Sequence, residues 1–142
     1  MPAPALHRLL YVSEARIDPC GPEPRAILEV AARRNAQLDV TGLLCFSGEH
    51  FAQILEGSTA AIETLMTSIR RDSRHILLRE WQPQAVPDER RLFPAWAMGF
   101  SHDERLDAAM GQLAREPHDL PLDTVAELLF VGLDLYGAQR RR

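Results

Sequence analysis

The segment LDVTGLLCFSGEHFAQILEG, residues 38–57, sets the architecture. Residues 38–46 and 50–56 each read as a strand, and Ser47-Gly48-Glu49 between them is short and contains glycine, so the pair predicts a β-hairpin. In the second strand Phe51, Gln53 and Leu55 fall on one face, because alternate side chains of a strand point the same way. Gln53 is thus an amide among apolar neighbours, and a buried polar group without a partner costs about 1–3 kcal/mol. It is either a satisfied core amide or a group placed there to be switched.

Reading outward from the hairpin, residues 24–36 carry Ile27, Ala31 and Arg34 at helical spacing behind an initial proline. Before them, the loop Asp18-Pro-Cys-Gly-Pro-Glu-Pro24 stops a strand over residues 6–13. That strand is apolar on both faces, as expected of a central strand. After the hairpin, Ser58 is a good N-cap for a helix over 59–71 with Ile62, Leu65, Met66 and Ile69 along one side. Residues 76–81 give a fourth strand, broken near Pro83 and Pro87, and residues 96–101 a fifth. The order β-α-β-β-α-β-β predicts an α+β, ferredoxin-like sheet with two helices on one face. Beyond it, Ser101 to Glu104 has capping-box spacing ahead of Leu106, Ala109, Met110 and Leu113, and a further helix is expected at about 123–137. These two C-terminal helices either cover the open face of the sheet or meet a partner. The division expected is a domain over 1–102 and a helical extension over 103–142 within one structural unit.

The chain has 142 residues, enough for one domain with a core, and its 46% apolar and 25% charged residues are ordinary for a globular protein. A net charge of −4 argues against general binding of nucleic acid or anionic membranes. No apolar run approaches the roughly 20 residues of a membrane helix, and MPAPALHRLL is not a signal-peptide pattern. Cys20 and Cys45 form neither a CxxC nor a disulfide framework, so a cytoplasmic setting is expected. The five histidines match no zinc spacing.

No positive motif for catalysis is present: neither GxGxxG, GxxxxGK[ST] nor GxSxG occurs, and Glu56 and Asp72 are isolated carboxylates. The expectation is a protein that is not an enzyme. Tyr11, Asn35, Gln53 and the pair Trp96 and Met98 raise a question together, although each alone is explained by core packing or a helix end.

Their joint spacing resembles the BLUF domain, the family of blue-light sensors that use FAD. The similarity runs from about Leu6 to His102 and rests on Leu10-Tyr-Val-Ser13, Arg34-Asn-Ala36, Val40-Thr-Gly-Leu-Leu44, Phe51-Ala-Gln-Ile-Leu-Glu-Gly57, Asp72-Ser-Arg-His75 and Phe93-Pro-Ala-Trp-Ala-Met98. Each motif is short, and their specificity lies in occurring together and in order. The resemblance implies a flavin between the two helices, with Ile27 and Ile69 flanking the ring. It implies Asn35 on the polar edge of the ring, and Arg74 and His75 near its pyrimidine end. Tyr11 and Gln53 match the photoactive pair, and Trp96 and Met98 the residues proposed to pass the signal outward. Arg34 stands where many relatives have an amide or histidine, and it either reaches the FAD phosphates or faces water. The short, stand-alone members of the family signal through a separate effector protein and often form homo-oligomers, so both are expected here. The competing expectations are a flavin-free interaction module that kept the fold, and an enzyme on a ferredoxin-like scaffold.

Overall fold

The structure is a computed structural model that describes residues 5–100 and 104–115. Its strands are β1 (His7–Ala15), β2 (Thr41–Phe46), β3 (His50–Gly57), β4 (His75–Glu80), β5 (Gln84–Ala85) and β6 (Trp96–Phe100). Its helices are α1 (Glu23–Gln37), α2 (Thr59–Arg71) and α3 (Glu104–Arg115). The sheet runs in the order β4-β1-β3-β2-β6, with β5 also pairing β1. Among the described residues, only the β2–β6 pairing is parallel.

This is the expected ferredoxin-like arrangement, with differences that have local causes. The strand expected to begin at Leu38 begins at Thr41, because residues 38–40 finish α1. Asp39 adopts a left-handed φ of 55°, and Val40 N–H donates to the Asn35 carbonyl at 2.8 Å, capping the helix end. The first strand extends past Ser13 to Ala15 because Glu14 and Ala15 pair with His50 and His75, a tertiary effect the apolar pattern does not show. The break near Pro83 divides one line of pairing: β4 takes the distal half of β1 and β5 meets His7 and Arg8. The helix expected at 123–137 lies outside the described residues.

The two faces of the sheet have separate cores. Leu9, Tyr11 and Leu55 pack on Ile62, Leu65 and Met66 of α2, a helix whose start Ser58 caps by accepting from Ala61 N–H at 3.1 Å. On the opposite face Leu10, Val12 and Ile54 pack on Leu106, Met110 and Leu113 of α3. The described C-terminal helix therefore covers the second face. Arg79 Nη1 donates to the Leu113 carbonyl at 3.2 Å, and His50 Nδ1 lies 2.8 Å from Asp107 Oδ1. Gly42 is required where β2 crosses β3, since a Cβ there would lie 2.0 Å from the Ile54 carbonyl oxygen.

Helix α1 is the exception to this packing. Its one fully buried residue is Asn35, and Val30 is 62% exposed. Such a helix gains little from burial as it stands, and a cavity lies beneath it.

Candidate functional site

A cleft opens between α1, α2 and the sheet, with about 790 Å³ of empty space counting its open mouth. Alternation along the strands directs Tyr11, Leu44, Phe51 and Gln53 to its floor. Helical periodicity brings Ile27, Val30, Ala31 and Arg34 to one wall and Leu65, Ser68 and Ile69 to the other. Asn35, Asp72, Arg74 and His75 complete the lining.

The floor carries a short polar chain. Tyr11 and Gln53 are direct partners across β1 and β3. Gln53 Nε2 donates to Tyr11 Oη at 2.7 Å, and Trp96 Nε1 donates to Gln53 Oε1 at 2.9 Å. An indole N–H only donates, so it fixes the amide orientation: oxygen toward Trp96, nitrogen toward Tyr11. Trp96 reaches across β2 to do this, and its register partner there is Gly42, which has no side chain to obstruct the indole. Met98 packs instead with Leu44, Phe46 and Phe51. Burial pushes the Tyr11 phenol well above its ordinary value, against the opposing effect of the Gln53 hydrogen bond. Tyr11 is therefore un-ionised at neutral pH.

At the far end Arg74 is committed to Asp72. Its Nε lies 2.9 and 3.0 Å from the two carboxylate oxygens, and Nη2 lies 2.6 Å from Oδ2. This pairing lowers the Asp72 carboxyl and raises Arg74. His75 is held between two oxygens. Its Nε2 donates to the Ile69 carbonyl at 2.6 Å, and Nδ1 lies 2.7 Å from Ser13 Oγ. Arg34 Nη1 donates to Ser68 Oγ at 2.9 Å, which joins the two walls.

All the residues expected at a cofactor — Ile27, Arg34, Asn35, Gln53, Ile69, Arg74 and His75 — line this one cleft, with Tyr11. Trp96 touches it through Gln53. Reading the sequence missed Ser68, Asp72 and Ser13 as partners. Ser68 was findable, lying three residues after Leu65 on the cleft side of α2, whereas the Ser13–His75 contact depends on the β1–β4 pairing. Asn35 is only 2% exposed, and the described residues make no hydrogen bond to its side-chain amide. One N–H of Gln53 Nε2 also remains after Tyr11 is served. Two apolar walls, the Asn35 amide in the lining and a spare donor on the floor suit a flat ring with polar edges.

Comparison with known proteins agrees with this geometry. The BLUF family model, described as sensors of blue-light using FAD, matches residues 6–99. The chain is 36% identical over 85 residues to the blue light- and temperature-regulated antirepressor BluF of Escherichia coli K12, covering 60% of this chain and 21% of that protein. It is 35% identical over 102 residues to a photoactivated adenylate cyclase subunit beta of Euglena longa, covering 71% of this chain and 12% of that one. The chain thus spans a small part of either relative's length. Among solved structures, the dark state of the BLUF protein BlrB superposes with a TM-score of 0.64 at 31% identity, over 90% of this chain and 95% of the other.

Proposed function

The chain belongs to the BLUF family, and from that premise we propose that it is a blue-light photoreceptor that holds FAD in the α1–α2 cleft and signals to a separate effector protein. The observation that carries this reading is Gln53, hydrogen-bonded on one side to Tyr11 and on the other to Trp96 at the floor of the cleft. Asn35 and the spare Gln53 N–H would meet the polar edge of the ring, and Ile27 and Ile69 its faces. When bound, the flavin supplies a ring that absorbs blue light and, once excited, draws an electron and a proton from its surroundings.

The chain's own part is to offer one proton and to keep a record of its movement. Tyr11 holds that proton: its phenol is un-ionised, and its oxygen accepts from Gln53, which leaves the hydroxyl hydrogen available. Gln53 has two unlike ends on one rotatable group, an acceptor and a double donor. If the amide turns, nitrogen replaces oxygen opposite the Trp96 indole. Donor then faces donor, and Trp96 loses its acceptor. A net hydrogen bond is worth about 0.5–1.5 kcal/mol, so this change alone shifts a two-state equilibrium by roughly 2- to 12-fold. Repacking of Trp96 and Met98 on β6 would add to it. No conversion of a substrate is required, which is the basis for reading the chain as a switch and not an enzyme.

The test is an absorption spectrum of the purified protein in darkness and directly after blue illumination, together with tryptophan emission of a Trp81→Phe variant that leaves Trp96 as the sole tryptophan. A reversible red shift of the flavin band with a concurrent change in Trp96 emission is expected. A colourless protein that takes up no added FAD, or a coloured one unchanged by light, would overturn the proposal.

A further inference from the structure

We infer that Arg34, held by Ser68, is an anion-binding element that selects phosphorylated flavins, FMN and FAD, over neutral riboflavin. The inference rests on the flavin reading of the cleft and adds a specificity that the family assignment does not supply.

The argument is one of charge accounting. Three cationic or potentially cationic side chains line the cleft: Arg34, Arg74 and His75. Arg74 is neutralised by Asp72, with 2.6 Å between Nη2 and Oδ2, and Glu23 adds a further favourable field. His75 is engaged at both nitrogens, by Ser13 and the Ile69 carbonyl. Arg34 is different. It is half-buried, and its one hydrogen bond is to the neutral hydroxyl of Ser68. No carboxylate among the described residues pairs with it.

A half-buried guanidinium without a counter-charge is costly, and the remedy is an anion. Arg34 offers the right geometry for one: four of its five N–H donors remain after Ser68 is served, in the planar fork that suits phosphate oxygens. Ser68 accepts from Arg34 with its oxygen, which leaves its own O–H to donate to the same anion. The pair also spans the two walls of the cleft, one residue from α1 and the other from α2. Arg34 directly precedes Asn35, so an amide for the ring and a cation for the tail sit side by side in the last turn of α1.

The experiment is a fluorescence-quenching titration of the flavin-stripped protein with riboflavin, FMN and FAD, at low and at moderate salt. The phosphorylated flavins are expected to bind at least about tenfold more tightly than riboflavin, the scale of a charge-assisted hydrogen bond. The margin should narrow as salt rises. Arg34→Met should remove the margin, so that the three flavins bind alike, and Arg34→Lys, which keeps the charge but loses the fork, should fall between. Equal binding of all three flavins by the unmodified protein, or a margin that survives Arg34→Met, would overturn the assignment while leaving the cleft a flavin site. Failure to bind any flavin would overturn both. The preference of the unmodified protein and its salt dependence remain a test if a variant does not fold.

Discussion

Arg8 and Glu56 form a buried ion pair across β1 and β3, with Nη2 and Oε2 2.8 Å apart and the Glu56 side chain wholly excluded from solvent. Glu56 also accepts from Thr41 Oγ1 at 3.1 Å and from the backbone N–H groups of Leu92 and Phe93 at 2.8 and 3.1 Å. One carboxylate therefore joins the central strands to the loop that leads into β6. Breaking a buried pair by removing one partner costs about 3–5 kcal/mol, because the other charge is left unpaired. Glu56→Gln should lower the unfolding free energy by that order, read from a urea titration. Arg8→Met combined with Glu56→Gln should cost less than the two single changes added together. Strict additivity would show that the pair does not act as a unit.

Tyr11→Phe removes the hydroxyl on which Gln53 is anchored and leaves the apolar wall in place. Flavin should be retained and the light-induced red shift lost, as read by difference absorption. Because burial holds the Tyr11 phenol above its ordinary 10.0, the light response of the unmodified protein should not fall through phenol ionisation between pH 7 and about 10. A group with a raised pKa contributes stability below its unfolded value and loses it as pH rises through the folded one. Any Tyr11-linked destabilisation should therefore begin only above about pH 10.

Gln53→Leu removes both hydrogen bonds of the floor and leaves the Trp96 indole N–H without its acceptor. The red shift should vanish, and Trp96 emission in the Trp81→Phe background should already differ from that of the parent in darkness. Emission matching the dark parent would show that Gln53 does not hold Trp96.

Asn35→Ala should weaken flavin binding by about tenfold or more, the scale of losing a buried hydrogen bond, as measured by release of flavin during dialysis. It should change stability of the flavin-free protein little, since no described residue bonds the amide that is removed. Unchanged retention would place the ring elsewhere.

Asp72→Asn separates electrostatics from packing. Arg74 holds the Asp72 carboxyl below the usual carboxylate range. A lowered carboxyl contributes stability above its unfolded pKa of about 3.9 and loses it as pH falls through the folded value. The pair is partly exposed, so the effect is up to about 1 kcal/mol. The gap in urea midpoint between parent and variant should be constant from pH 7 to 5 and should narrow progressively below about 4. A gap that does not narrow at all as pH falls below about 4 would mean the loss is not one of charge.

Strand and helix periodicity made the order of elements legible, since each alternation or 3.6-residue repeat is a local property. The site was legible as a set of positions, not as a set of bonds. Tyr11, Gln53 and Asn35 stand out because polar groups at apolar positions demand partners. Which partners they have depends on pairings between distant strands: Trp96 reaches Gln53 only because β6 lies beside β2 in parallel and Gly42 leaves the way open. The Arg8–Glu56 pair was invisible for the same reason, being 48 residues apart in the chain. Arg34 was legible as an anomaly and became informative only when Ser68, and no carboxylate, proved to be its neighbour.

The rows of backbone bonds also apportion mobility. Tyr11 and Gln53 sit on strands flanked on both sides, whereas Trp96 belongs to an edge strand, hydrogen-bonded along one margin to β2. Peeling that margin sacrifices a single ladder and leaves the middle of the sheet undisturbed. On the proposed reading, the proton donor and the amide stand on the braced middle of the sheet, and the indole that would carry the message stands on a margin that can part from it.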